Sequence, residues 1–406
     1  MARAVELAVA NNGLIGIAES DIAIANESRR QAHRTRGITV SAAHSSEYAD
    51  YMAFEKYGQS YQNSYSNAIK ATYPLYTGGV ITHTIDRAES EYESKKESMR
   101  KTLQDMRQSV ADALYSVLRA DDMAKLNAGS VERLVAHVDN VRIQYENGKV
   151  GKADLLSSEV ELSNSRQNLI RANNDYDAAV KQLNSQMGMP LDTKLRINET
   201  LKYEKFAHTL EECVESGRAN HPELIMAALA IESAESDSAI ARGEKRPKAS
   251  VTATQNLSDN SSWPGGKADS FNIALNAEFT IFDSGVASSK IAAADAALKR
   301  ARHNYDVTLD ARMLAIDSDY NGIIEASKRL DESIPTIGKA QEAYDIALDR
   351  YNEGVGTNID VVDSQTALTQ ANSNYTQALC DYNIALSRLE NSMGGEFKMT
   401  GSVQGP

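Results

Sequence analysis

Cysteine is nearly absent: Cys213 and Cys380 are the only two in 406 residues. One possible pair makes no disulfide framework, and their spacing is unlike that of a metal site, so both are expected to be free thiols. Proline is almost as scarce, with seven in the chain, which suits long helices. Aromatic residues are few and mostly tyrosine, 18 against six phenylalanines and one tryptophan. Positive charge is in deficit, 43 Lys and Arg against 56 Asp and Glu, for a net charge of −13. Without a basic surface to release counterions, nucleic acid is not an expected partner. No run of about 18 to 20 apolar residues occurs, so no transmembrane helix is expected. Met1-Ala2-Arg3-Ala4 leads straight into an amphipathic pattern without the apolar stretch of a secretory leader. That start by itself reads as cytoplasmic and equally suits a mature chain. A Walker-type phosphate loop, a zinc ligand set and a nucleophile elbow are also missing, and the histidines show no pairing at helical spacing. No catalysis, cofactor or metal is therefore expected.

What the chain does contain is an internal repeat. Tyr145-Glu146-Asn147-Gly148 matches Tyr351-Asn352-Glu353-Gly354 at an offset of 206 residues. The same offset pairs Asp154 with Asp360, Ser158 with Ser364, Leu162 with Leu368, Tyr176 with Tyr382 and Met187-Gly188 with Met393-Gly394. It also pairs Gly79 with Gly285, with no gap between these points. Further upstream the match is looser, with Ala10-Asn11 on Ala219-Asn220. Each repeat reads as helix, strand, strand, long helix, turn, helix.

The helices carry heptads. Leu155, Leu162, Leu169, Tyr176 and Leu183 recur every seventh residue, as do Val361, Leu368, Tyr375, Tyr382 and Leu389. Before each set run Val131, Leu134, Val138, Val141 and Tyr145 in one repeat and Leu330, Ile337, Tyr344 and Tyr351 in the other. A period of 3.5 specifies a left-handed helix-on-helix seam. Short turns at Gly148 to Gly151 and Gly354 to Thr357 then make two antiparallel coiled-coil hairpins. From Gly79 to Gly148 a helix would run roughly 100 Å, and from Gly151 to Gly188 about 55 Å. A helix near Asn11 to Arg36 supplies about 38 Å more. Gly129 and Pro335 hold matching places in the two long helices, where kinks are expected.

Four segments alternate with period two. Tyr61 to Tyr76 puts Tyr65, Ile69, Ala71, Tyr73 and Leu75, with Tyr61, on one face, and Gln62, Ser64, Ser66, Lys70 and Thr72 on the other. Ser270 to Phe282 repeats the pattern, while Ile38 to Tyr51 and Ala249 to Leu257 are weaker versions. Such strands fit an outer-membrane barrel with apolar residues outward, and they also fit a half-buried sheet in a soluble protein. The count favours the barrel. Four strands cannot close one, since the minimum is about eight, and helices of about 100 Å cannot pack over so small a sheet. Several chains must therefore pool their strands.

The duplicated order of elements, Tyr351-Asn352-Glu353-Gly354 followed by Ile359-Asp360-Val361-Val362-Asp363, Tyr73-Pro74-Leu75-Tyr76-Thr77-Gly78-Gly79 with its copy Phe279-Thr280-Ile281-Phe282-Asp283-Ser284-Gly285, and Asn220-His221-Pro222-Glu223-Leu224 together resemble the TolC family of outer-membrane efflux proteins. The resemblance implies an α+β fold. A homotrimer would pool its strands in a twelve-stranded β-barrel, continuous with a twelve-helix α-barrel of coiled-coil hairpins. A first helix would occupy 1–36, a β-hairpin 37–78, a coiled-coil hairpin 79–188 and an equatorial linker 189–218. The second repeat would place its helix at 219–247, β-hairpin at 248–283 and coiled-coil hairpin at 284–394, leaving a tail at 395–406. The function implied is a passive exit duct through the outer membrane and periplasm. Outer-membrane lipid would surround the barrel. A periplasmic adaptor and an inner-membrane pump or secretion ATPase would supply energy and open the tip. The competing reading is a soluble coiled-coil structural or adaptor protein, which leaves the alternating strands unexplained.

The same resemblance implies site residues. Asp360 and Asp363 would form pore-constriction rings, and Tyr351 with Asp154 would make a polar lock at the tip. Two other roles are open to them: helix-start acids for the aspartates, and the last seam residue of its heptad for Tyr351. Gly356 stands where family members can carry an arginine that contributes to the lock. Adaptor contact would fall on the turn residues Gly148, Lys149, Val150 and Gly151 in one hairpin and Gly354, Val355, Gly356 and Thr357 in the other.

Overall fold

The computed structural model describes residues 1–50, 61–260 and 267–395, with side chains at 1–47, 65–257 and 269–395. The strand-end residue Tyr51, the side chains of Tyr61, Gln62 and Ser64, and all but the first residue of the expected tail lie outside these. The elements in order are α1 (Ala2–Asn11), α2 (Gly13–Arg34), β1 (Thr39–Asp50), β2 (Tyr61–Tyr76), α3 (Val80–Glu146) and α4 (Lys152–Gln186). The second half gives α5 (Leu210–Asn220), α6 (Pro222–Gly243), β3 (Lys248–Asn260), β4 (Lys267–Glu278), α7 (Val286–Asn352) and α8 (Asn358–Ser392). The duplication extends to element length: α2 and α6 have 22 residues each, α3 and α7 have 67, and α4 and α8 have 35.

Three boundaries differ from those expected. The first helix of repeat one is two helices, α1 and α2, because the chain turns extended at Asn12, whose Oδ1 accepts from the Leu14 amide. His221 does the same between α5 and α6, its Nδ1 accepting from the Glu223 amide. The stretch 189–218 expected as a linker therefore ends in α5, the counterpart of α1. β4 stops at Glu278 rather than Phe282, because its partner β3 begins at Lys248 and the ladder has no further residue to pair. Both long helices run uninterrupted through Gly129 and Pro335.

The chain folds as two units. One comprises Met1–Glu19, Ser98–Leu224 and the residues from Thr308 onward. It holds two cores related by the repeat. In the first, Val110, Val117, Leu183 and Met187 are buried with Ala8 of α1. In the second, Ile316, Ile323, Leu389 and Met393, each 206 residues on from its counterpart in the first, are buried with Cys213 of α5. Burying one such side chain contributes about 1.5 to 3 kcal/mol. Packing is conserved by compensation. Ile316 replaces the smaller Val110, and Gly217 replaces Ala8 in α5, where a Cβ would come within 2.3 Å of Ile316 Cδ1. The irregular stretch between α4 and α5 is pinned by α8: Tyr382 Oη donates to Glu204 O at 2.6 Å and accepts from Phe206 N at 2.9 Å.

The other unit comprises Ser20–Glu97 and Ile225–Val307. Its four strands form one antiparallel sheet in the order β1-β2-β3-β4. The register aligns Val40, Ala71, Ala253 and Ile273 across all four strands, so these share one face. Ser41, Lys70, Thr254 and Asn272 align on the other. A bulge between Pro74 and Tyr76 falls where proline offers no ladder donor. The helical part of this unit buries little: its core is Ala32, Ile85 and Ala88, with Ile81 against it. Ion pairs supplement it, among them Arg29–Glu89 at 3.0 Å and Arg242–Asp295 at 2.8 Å. Among the described residues no helix is long and apolar enough to cross a membrane.

Candidate functional site at the hairpin turns

Both coiled-coil hairpins reverse through the same backbone device. At the end of α3, Gly148 at φ 70° donates to Tyr145 O, and Lys149 N reaches back to Gln144 O. At the end of α7, Gly354 at φ 78° donates to Tyr351 O, and Val355 N to Arg350 O. Each is a Schellman ending, which uses the otherwise unpaired last carbonyls and needs a left-handed residue that glycine supplies without strain. Gly356 is required for a separate reason. Its N–H also bonds Arg350 O, and a Cβ there would lie 2.9 Å from the Tyr351 nitrogen. The turn as built excludes an arginine at this position.

The next helix is then capped. In the second hairpin Thr357 Oγ1 accepts from Asp360 N at 3.2 Å, and Asp360 Oδ2 accepts from Thr357 N at 3.1 Å, a complete capping box. These bonds to Thr357 hold the Asp360 carboxyl below its ordinary pKa. In the first hairpin Gly151 has no side chain to offer, so only half the box forms, with Asp154 Oδ2 accepting from Gly151 N at 3.2 Å. Lys149, Gly151, Val355 and Thr357 are exposed, while Val150 is half-buried against the seam. Asp360 and Asp363 are both exposed on the first two turns of α8.

The expected link between Tyr351 and Asp154 is not made. Tyr351 is only 4% exposed, packed with Val141, Tyr344, Val361 and Leu368, and its hydroxyl has no hydrogen-bond partner. Burial first, and the nearby Asp154 carboxylate second, raise its phenol pKa. Asp154 does not reach it because its carboxylate is drawn to the Gly151 amide at the start of α4. Tyr145, the counterpart of Tyr351, is 38% exposed, so the two repeats use this heptad position differently.

Sequence reasoning passed over the polar centre of this region. His137 of α3, Ser158 of α4 and Asn358 of α8 are all buried. His137 Nε2 lies 2.7 Å from Asn358 Oδ1, and Asn358 Nδ2 donates to Asp154 O at 3.1 Å. Ser158 Oγ lies 2.9 Å from both Asn358 Oδ1 and Asp154 O, with one hydrogen to share between them. The signal in the sequence was a break in the repeat. His137 sits inside the apolar stripe Leu134, Val138 and Val141, and its counterpart is Ala343; the counterpart of Asn358 is Lys152.

A duplicated set of paired long helices, joined to a small sheet with an exposed apolar face, defines a TolC-like outer-membrane channel fold. The chain belongs to the outer membrane efflux protein family, whose profile matches residues 4–189 and 214–395. Outer membrane protein TolC of Vibrio cholerae is 21% identical over 323 residues, 77% of this chain and 72% of that protein. Outer membrane efflux protein BepC of Brucella suis is 22% identical over 338 residues, covering 82% and 73%. Among solved structures, the CmeC outer membrane channel of Campylobacter jejuni matches with a TM-score of 0.86 at 15% identity, over 98% of this chain and 86% of that one, which shows the fold. The protein is thus an outer-membrane channel component, and the family is not one of enzymes.

Proposed function

We propose that three copies of this chain close their sheets into one twelve-stranded barrel and align their helices as a tube, forming a passive exit duct. The observation that carries this reading is the sheet. Its outer strands β1 and β4 each have a single neighbour, leaving two edges that need partners. Its apolar face is bare: Val40, Ile69, Tyr73, Phe271 and Leu275 are exposed, and Ile273 is 68% exposed. Strands of 12, 16, 13 and 12 residues exceed the roughly 9 to 11 needed to cross a bilayer. Pooling the strands of three chains satisfies the edges and places the apolar face against lipid. The thin core of the helical part of the same unit fits with burial against further copies.

In this reading the energy comes from an inner-membrane pump or secretion ATPase reached through a periplasmic adaptor that meets the hairpin turns. Asp360 and Asp363 stand one helical turn apart on an exposed face, and threefold symmetry would make each a ring of three carboxylates facing the pore. The purified chain in detergent should have the mass of a trimer. A monodisperse monomer there would overturn the barrel.

A further inference from the structure

We propose that His137, Ser158 and Asn358 form an acid-sensitive clasp that fastens the start of α8, in the second hairpin, to α3 and α4 of the first. Asn358 is the first residue of α8, two residues before Asp360 and five before Asp363. Its side-chain amide is held from both sides of hairpin one, by His137 from α3 and by Ser158 and the Asp154 carbonyl from α4. Among the described residues of the second hairpin's turn, Asn352 makes one such bond to the first hairpin, to Asn140, against three at Asn358. Release of this one side chain frees the start of α8, whose first two turns carry both acids proposed for the constriction.

The network also assigns the histidine's tautomer. Asp154 O can only accept, so the Asn358 nitrogen must face it and Oδ1 must face His137. Nε2 therefore carries the hydrogen, and Nδ1 is left as a bare acceptor. His137 is 2% exposed, and its Nδ1 has no partner. A second proton would have to go there, placing a charge where no acceptor meets it. The titratable groups around it offer no relief. From α7 comes Tyr351, whose ring centroid is 5.2 Å away and whose hydroxyl is itself without a partner. From α4 comes Asp154, whose carboxylate is engaged at Gly151. From α8 comes neutral Asn358, with Asp360 exposed beyond it and bonded to Thr357. On α3 itself Arg133 stands one turn away, a like charge.

The sign follows from burial. Desolvation lowers the His137 pKa in the clasped state, against a smaller opposing effect from Asn358. Once released into water the ring regains the ordinary value of about 6.5. Above that value both states are neutral and the clasp is at full strength. As pH falls below it, the released state takes up a proton that the clasped state resists, so the clasp weakens. Each unit of difference between the two pKa values shifts the clasped-to-released ratio by up to about tenfold.

The inference rests on the duct reading only for its effect on conduction, so the test has two readouts. Amide hydrogen exchange, corrected for intrinsic rates, is followed over residues 359–366 at about pH 7.5 and about pH 5.5, on either side of the ordinary histidine value. Conductance is recorded from the same preparations in bilayers. Exchange in the wild type should rise several-fold at the lower pH. His137→Gln keeps an amide donor toward Asn358 without a titratable group, and its exchange should not change with pH. Asn358→Ala should exchange fast at both. If wild-type protection is independent of pH, or His137→Gln keeps the wild-type pH dependence, the clasp is wrong. If exchange behaves as expected in protein that never conducts, the clasp stands and the duct reading fails.

Discussion

Tyr351→Phe removes a single oxygen that lies buried among Val141, Tyr344, Val361 and Leu368 with no hydrogen-bond partner. Leaving a buried hydroxyl unpaired costs about 1 to 3 kcal/mol, so its removal should be neutral or stabilising by up to about 1 kcal/mol once the tight packing around it is allowed for. The ring and its contact with His137 are retained. Tyr382→Phe provides a matched control, since it sits at a heptad position with the same chemistry and no exposure. Its hydroxyl bonds both Glu204 O and Phe206 N, and deleting it orphans a carbonyl and an amide. That substitution should destabilise by about 1 to 3 kcal/mol. Thermal or denaturant melts of the two variants in detergent, run beside wild type, measure the difference directly. Single-channel conductance of Tyr351→Phe should equal that of wild type, because no latch to Asp154 is lost. If Tyr351→Phe destabilises as much as Tyr382→Phe, or raises conductance, the hydroxyl has a partner in the assembled protein and the assignment of Tyr351 to pure packing is refuted.

Other outcomes follow from the turns and the acids. Asp360→Ala/Asp363→Ala should abolish cation selectivity and sensitivity to a trivalent cation in bilayer recordings; unchanged selectivity would leave both as helix-start acids. Because the Thr357 bonds lower the Asp360 pKa, its negative charge and its part of the capping box should persist as pH falls to about 3.9, the unperturbed value, and be lost below it; selectivity measured against pH tests this. Gly354→Ala and Gly394→Ala both place a Cβ on a left-handed residue, at φ 78° and 81°. Gly354 has open space around it, so its cost should be about 1 to 2 kcal/mol. Gly394 would drive a Cβ to 2.6 Å from His221, so its melting temperature should fall further; equal losses would contradict that contact.

The sequence by itself carried the architecture. A repeat of 206 residues, two heptad registers and four alternating segments determine which elements form and in what order, because those signals are local periodicities that any partner must respect. Of the seam residues named from spacing, Val361, Leu368, Tyr382 and Leu389 become fully or nearly fully buried, whereas Leu155, Tyr176 and Tyr375 are half-buried and Tyr145 is exposed. Termini were less legible. The break at Asn12 depends on one side chain accepting one amide, and the end of β4 depends on where β3 begins. Neither is visible along a single segment. The hairpin turns show the division most clearly. Glycine and threonine spacing announced both reversals, yet only tertiary structure decided that Asp154 caps α4 rather than meeting Tyr351, and that Asn358 takes the central place. His137, Ser158 and Asn358 are 200 residues or more apart in part, and two of the three depart from the repeat that organised everything else. Periodicity reports which face of a helix turns inward. Which polar atom then finds which partner is set by the docking of four helices, where an unpaired buried group is costly and only the folded arrangement determines who pairs.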